Sequence, residues 1–153
     1  MEYIKELLNN KPLIIAALAW FVAGVLKVLV ELRVNRKLTF SRIMGAGGMP
    51  SSHTSTVVAL AIALGFYEGI GSSIFALSVF FAIIVIHDAV GVRLETGKQA
   101  KVLNAMLSDT ETFKELDFEG KLKEYVGHTP SQALMGAIVG MIVAILSIYF
   151  MGK

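Results

Sequence analysis

The sequence predicts an all-α integral membrane protein with about four transmembrane helices and an interfacial helical loop. Two apolar runs carry that prediction. Residues 12–30 are interrupted only by Lys27, and residues 131–151 hold no charge at all. Each run approaches the roughly 20 residues that cross a hydrocarbon core. Composition agrees: 55% of the 153 residues are hydrophobic and 17% are charged, whereas soluble domains carry about 25% charged residues. A chain of this length suits a single membrane domain over 1–153.

The first helix is placed at 12–30. It is a poor signal peptide, because no small-residue cleavage site follows it while Arg33, Arg36 and Lys37 do. The second, 52–66, starts with hydroxyl residues and His53 and then becomes apolar; its length alone allows a re-entrant or partly submerged helix. A tight turn, "EGIG" at 68–71, leads to the third helix at 73–91, whose apolar stretch stops at His87-Asp88. Residues 92–130 form an amphipathic polar insertion. Within it Val102, Leu103, Met106 and Leu107 cluster at helical spacing, and Ser108 with Glu111 resembles a capping box. Leu122, Tyr125 and Val126 give a further short apolar face ending at Gly127. The insertion is therefore expected to be a pair of helices lying on the headgroups, lysines toward anionic lipid. In the fourth helix, 131–151, Gly136, Gly140, Ala144 and Ser147 make a small-residue face. That face is expected to pack on the second helix near Ala59, Ala61 and Ala63. The absence of cysteine excludes disulfides and thiolate metal sites.

The stretch "GGMPSSHTS", residues 47–55, fits neither a simple linker nor a buried helix. Four-helix topology would gather it on one membrane face with Lys27, Arg33, Arg36, Lys37, Arg42, Asp88, Arg93 and His128. Taken singly, each has a bland explanation. Lys27 can snorkel, the cations of 33–42 can be positive-inside anchors, and a helix-end histidine can bond a neighbour. Two histidines and several cations on one face resist that explanation, because ionisable groups at a membrane are costly. Cations beside helix N-termini and a Gly-rich turn suit phosphate oxygens, and Ser51 and Ser52 can add hydroxyl and backbone N–H donors. One neutral histidine can attack phosphorus while a second, protonated, serves the leaving alkoxide. Cations can neutralise the transferring group without a metal. The histidines and carboxylates show no metal-binding spacing, and no cofactor is expected.

These residues resemble a known family. "GGMPSSHTS" resembles the P-S-G-H motif of the type 2 phosphatidic acid phosphatases, relatives of the vanadium haloperoxidases. "HTPSQALMGAIVG", residues 128–140, resembles the segment that closes their third motif. "GGMPSSH", "HDAVGVRLETGKQAKVLN" and "GHTPSQ", in that order, resemble the divergent type 2 phosphatidic acid phosphatase group, also described as acid phosphatase/vanadium-dependent haloperoxidase-related, over essentially the whole chain. The resemblance implies a haloperoxidase-like helical core, His128 as a nucleophile forming a phosphohistidine, His53 as general acid, and phosphate binding by Ser51 and the backbone at Ser52. Arg93 is the counterpart of the family's third-motif arginine, with the polar insertion between it and His128. Lys27 fits the lysine of the first motif. Its arginine is either Arg33, six residues on and without the usual proline, or Arg42, which leads into the Gly-rich turn. Where the broader family has an aspartate four residues after the histidine, this chain has Gln132. Support for the histidine is expected from Gln132, which accepts a hydrogen bond without bringing a charge, or from Asp88 across the site, and Asp88 is favoured.

The resemblance and the residues together lead to a membrane phosphatase acting on a lipid phosphate monoester or an isoprenoid (di)phosphate. A non-catalytic lipid-phosphate binding or translocating protein is the alternative, which Gln132 favours. A purely structural subunit has no need of both histidine motifs. The expected partners are the phosphorylated lipid or isoprenoid and membrane lipids, with no nucleic acid; a homo-oligomer is compatible with the sequence. Cations crowd one side, Arg33, Arg36, Lys37, Arg42, Arg93, Lys98, Lys101, Lys114, Lys121 and Lys123, against Lys5, Lys11 and Lys153 on the other. The expected location is thus a bacterial plasma membrane, motif side in the cytoplasm and both termini outside.

Overall fold

The computed structural model describes residues 2–36, 48–109 and 122–152. Lys37, Arg42, Gly47, Glu111, Lys114, Lys121 and Lys153 lie outside the described residues, so the expectations placed on them do too. No strand occurs among the described residues. The helices are α1 (Glu2–Asn9), α2 (Lys11–Asn35), α3 (Ser52–Tyr67), α4 (Ser73–Val90), α5 (Val92–Asp109) and α6 (Pro130–Met151). Among the described residues three helical stretches are long and apolar enough to cross a membrane, those of α2, of α4 and of α6, and α3 is a shorter apolar helix.

Local chemistry explains the ends. Asn10 accepts the Leu13 N–H at 3.1 Å and Pro12 sits in the first turn of α2, where its missing N–H costs nothing. α2 runs on to Asn35, past the expected end, and stops at Arg36, which is left-handed at φ 52. Ser51 and Ser72 cap α3 and α4, and Thr129 caps α6 through a reciprocal capping box with Gln132. α1 was not expected from the sequence; its Tyr3, Ile4, Leu7 and Leu8 are all exposed.

α3 is the centre of the bundle, packed against α2, α4 and α6. The fully buried core is Ile15, Ala19, Ala59, Ala63 and Ala144. The large side chains lie outside it: Leu77, Phe80, Ile84, Leu134, Tyr149 and Phe150 are all more than 60% exposed. Small residues inside and bulky ones outside is what lipid solvent produces, since tails solvate leucine as well as a core does and close backbone packing drives association. The contact of α6 with α3 is close enough that glycine is required. A Cβ on Gly136 would strike the Ser51 carbonyl and lie 3.1 Å from Thr54 Cβ; one on Gly140 would strike the Ser55 carbonyl and lie 3.0 Å from Ser55 Cα. Ser55 Oγ donates to the Ala19 carbonyl at 3.1 Å, joining α3 to α2.

One end of the bundle is tied by Lys11 Nζ, which donates to the Gly152 carbonyl at 3.2 Å, and by Tyr67 Oη, which donates to the same oxygen at 2.8 Å. The start of α3, the end of α4 and the start of α6 therefore share the opposite end. Of the pair of short helices expected in the polar insertion, the first is α5, and the second, starting at Ser108, lies mostly outside the described residues. Only Gly91, whose N–H bonds the His87 carbonyl at 2.8 Å, separates α4 from α5, so α5 begins immediately. Residues 122–129 are not helical. The i, i+3, i+4 spacing of Leu122, Tyr125 and Val126 is overridden by Asn104, which accepts the Leu122 N–H at 2.9 Å and donates at 2.9 Å to the Leu122 carbonyl and to Glu124 Oε1.

Candidate functional site

The site begins at Gly48, whose φ of +84 suits glycine; the stem of Lys27 packs 3.3 Å from where a Cβ would stand. Lys27 is only 2% exposed, within α2 and level with the start of α3. Ser51 is fully buried. Its N–H donates to the Gln132 carbonyl at 3.1 Å, and its Oγ accepts from Thr54 N at 3.3 Å and Thr54 Oγ1 at 3.1 Å. That hydroxyl is committed to capping α3. Ser52 is buried, and its carbonyl accepts from Thr56 Oγ1 at 2.7 Å. His53 follows, exposed in the first turn of α3.

His128 arrives from the opposite wall. Its N–H donates to the Ala89 carbonyl at 2.9 Å, and Gly127 beside it lies against the Leu94 backbone so closely that any Cβ would collide. The imidazole is 2% exposed, just ahead of α6. Gln132 fixes its chemistry. Gln132 Oε1 accepts the Thr129 N–H at 3.1 Å, which sets the amide's orientation, because an N–H requires an acceptor. The same oxygen faces His128 Nδ1 at 3.4 Å. An acceptor at that position favours the neutral tautomer with its proton on Nδ1. Burial pushes the His128 pKa below its ordinary value; the Gln132 hydrogen bond opposes the shift, the Lys27 and His53 charges reinforce it, and a Gly48 backbone hydrogen bond opposes it. The ring is thus poised as the free base.

The rings of His53 and His128 stand 6.3 Å apart, centroid to centroid, tilted by 59°. With Val85, Asp88, Ala89, Arg93 and Val126 they line a cleft of about 20 Å³, room for roughly one water. Arg93 Nε is paired with Asp88 Oδ2 on this cleft. Of the two supports expected for His128, Gln132 contacts the ring and Asp88 is bonded to Arg93. Arg33 is exposed along α2 and lines none of the cavities described here; Arg42 is outside the described residues. Among the described residues no group of three His, Asp or Glu side chains could hold a metal ion.

Two larger cavities meet at Gly48 and Gln132. One, about 260 Å³, is lined by Lys27, Val30, Glu31, Val34 and Met49 on the α2 side. The other, about 300 Å³, lies under α5 and includes Leu94, Lys98, Lys101, Glu124, Tyr125 and Thr129. In the sequence Gly48 stands out only as part of the Gly-rich turn, and Lys101 and Thr129 only as members of longer matching stretches. Gly127 had a visible signal, a glycine directly before the histidine, and was read only as a helix stop.

Comparison with known proteins agrees with this architecture. Residues 8–143 match the family described as the Divergent PAP2 family. A Bacillus subtilis (strain 168) protein, described as the uncharacterized membrane protein YuiD, is 38% identical over 155 residues, covering 95% of this chain and 98% of that protein. No solved structure matches the chain. With the family match spanning most of the sequence and a relative alignable nearly end to end, the chain belongs to the Divergent PAP2 family.

Proposed function

We propose that this protein is a metal-independent membrane phosphatase that hydrolyses a lipid phosphate monoester or an isoprenoid (di)phosphate. The observation that carries the reading is the pair of histidines at 6.3 Å, one buried with the Gln132 amide oxygen at its Nδ1 and the other exposed, beside the Arg93 guanidinium. In the first step His128 Nε2 forms a bond to phosphorus as the bond from phosphorus to the lipid oxygen breaks. His53, as imidazolium, gives its proton to that oxygen, and the lipid leaves as an alcohol or, from a diphosphate, as the monophosphate. In the second, water attacks phosphorus, neutral His53 takes the water's proton, and the P–N bond breaks to release phosphate and regenerate both histidines. Lys27 and Arg93 offset the negative charge of the transferring group. Arg93 must exchange Asp88 for a phosphoryl oxygen to do so, which also opens the cleft.

Purified protein in detergent, assayed against phosphatidate, phosphatidylglycerophosphate and prenyl phosphates, tests this directly. Phosphate release by the wild type that His128→Ala abolishes is the expected result; no release above that variant removes hydrolysis. A second reading, binding or translocation of a phosphorylated lipid without turnover, is favoured by the amide of Gln132, which brings no negative charge to stabilise a cationic His128. Headgroup binding without turnover is its signature. On either reading the excess of Lys and Arg at this end supports a site facing the cytoplasm, in a bacterial plasma membrane.

A further inference from the structure

We propose that Asn104 is a positioning residue for His128, acting through residues 122–127, which it straps along one face of α5. The inference takes the role of His128 from the phosphatase reading, while its geometry stands without that reading. Leu94, Gly97, Lys101 and Asn104 recur at spacings of three and four, so they share one stripe of the helix. Residues 122–127 run along this stripe in the opposite direction. Leu122 and Glu124 are bonded to Asn104, the Glu124 carbonyl lies where a Cβ of Gly97 would stand, and Gly127 lies against the Leu94 backbone. The next residue is His128, whose N–H donates to the Ala89 carbonyl at the end of α4.

The strap has little slack. From Leu94 to Asn104 the helix rises about 15 Å, and the path from Leu122 to Gly127 reaches at most about 18 Å when fully extended. A segment so nearly extended cannot absorb a shift at Leu122, which passes on to His128. Side-chain packing gives it little support, because a cavity of about 300 Å³ lies along it, bordered by Glu124, Tyr125 and Gly127 on one side and by Leu94, Gly97 and Lys101 on the other. Among the described residues, the hydrogen bonds of 122–127 all involve the Asn104 amide. Its Oδ1 accepts the Leu122 N–H, and its Nδ2 donates to the Leu122 carbonyl and to Glu124 Oε1, each at 2.9 Å. An N–H on one side and a carbonyl on the other require a group that both accepts and donates, which an amide supplies and a carboxylate does not.

Displacing a reacting group by about 1 Å can cost on the order of 100-fold in rate. Asn104→Ala should therefore lower kcat on phosphatidate or prenyl phosphates by about that factor. KM should hold, since the phosphate-binding cations Lys27 and Arg93 stand on α2 and α5 and not on the strap. Amide hydrogen exchange of the full-length protein in detergent reads the geometry itself. The His128 amide should lose protection in Asn104→Ala while the interiors of α2, α3 and α6 keep theirs. Gln99→Ala, which removes an exposed polar side chain from the same helix, should leave both readouts as in wild type. Wild-type exchange at His128 in Asn104→Ala, or wild-type kcat where hydrolysis occurs, overturns the proposal. If the wild type hydrolyses none of these substrates, the phosphatase reading fails and exchange at His128 alone decides the strap. If Asn104→Ala does not fold, Asn104→Asp replaces it; that change keeps the acceptor for Leu122 N–H but sets a carboxylate against Glu124. Recovery of His128 protection on adding Glu124→Gln, which returns a donor to that contact, upholds the strap, and no recovery overturns it.

Discussion

Replacing Gln132 by glutamate changes one atom's charge at the point where the structure connects a helix cap to the histidine. Gln132 Oε1 serves Thr129 N at 3.1 Å and His128 Nδ1 at 3.4 Å. Glutamate is isosteric, keeps both contacts and completes the Thr-x-x-Glu form of the capping box at a helix N-terminus, where a negative charge is favourable. Aspartate, the residue of the broader family, is one methylene shorter and cannot keep both reaches without moving the backbone. The fold should therefore survive Gln132→Glu better than Gln132→Asp.

The neutral hydrogen bond to His128 becomes charge-assisted. Neutral bonds contribute about 0.5–1.5 kcal/mol net and charged ones about 1.5–3, so the gain for the cationic ring is on the order of 1–1.5 kcal/mol. That corresponds to about one pKa unit upward. Two consequences follow, of opposite sign. The cationic phosphohistidine is better stabilised, so turnover near neutral pH should rise about ten-fold. The free-base nucleophile is also harder to keep, so the acid limb of kcat/KM should move up by about one unit. In the wild type, burial holds the His128 pKa down, so that limb lies below the ordinary histidine value. NMR titration of labelled histidine together with pH–rate profiles would read both effects. An unmoved His128 titration in a folded Gln132→Glu variant would refute the Gln132–His128 contact as the control on this ring.

Gly140→Leu should abolish the folded protein in detergent, because its first side-chain carbon already collides with the Ser55 backbone; an unchanged melt would contradict the packing. Arg93→Ala should remove binding of a lipid phosphate. Asp88→Asn, which frees Arg93 from its carboxylate, should tighten it several-fold, by roughly 1 kcal/mol for a partly exposed pair; weaker binding in Asp88→Asn would show that Asp88 does not compete for Arg93. Stability in melts should fall as pH drops below about 6.5, the ordinary histidine value, because the unfolded chain then takes a proton that folded His128 resists. His128→Asn should lessen that slope. The chain has no cysteine, so Lys98→Cys and Lys5→Cys can be labelled in intact cells with an impermeant maleimide. Labelling at 5 and protection at 98 are expected, and the reverse would invert the orientation.

Much of the bundle was legible because lipid makes the pattern crude. Runs at 12–30, 73–91 and 131–151 needed only length and apolarity, and Gly136 and Gly140 announced a close helix contact four residues apart. What the sequence concealed depended on single hydrogen bonds. The Leu122–Val126 spacing reads as helix, yet the Asn104 amide holds Leu122 and Glu124 in an irregular path. Gly91 reads as a break, yet it joins α4 to α5 with almost no interruption. α1 is only eight residues long, too short for a periodic pattern to stand out beside the apolar run of α2. At the site, the residue types marked the histidines and cations, but partner choice was invisible. Asp88 precedes Arg93 by five residues along one chain and could face His128 across the cleft; only the fold shows the carboxylate turned to the arginine.

The shortness of α3 explains why a polar site can exist in so apolar a chain. At 1.5 Å per residue, the 16 residues of α3 span about 24 Å, less than the roughly 30 Å of a hydrocarbon core. A lipid-exposed helix of that length would be mismatched, but α3 is wrapped by α2, α4 and α6. Its start is level with the end of α4 and the start of α6, while α2 continues past it. Lys27 is 16 residues along α2 from Lys11, and α2 continues for eight more to Asn35, so its wall rises about 12 Å above that level. The hydroxyls, the Gly48 turn and both histidines lie at the foot of the recess beside that wall. An extension of α3 by two turns at its N-terminus would fill the recess and remove the site without altering the membrane span. The wall of α2 beside the short α3, more than any single residue type, is what lets charge and hydroxyl groups gather here.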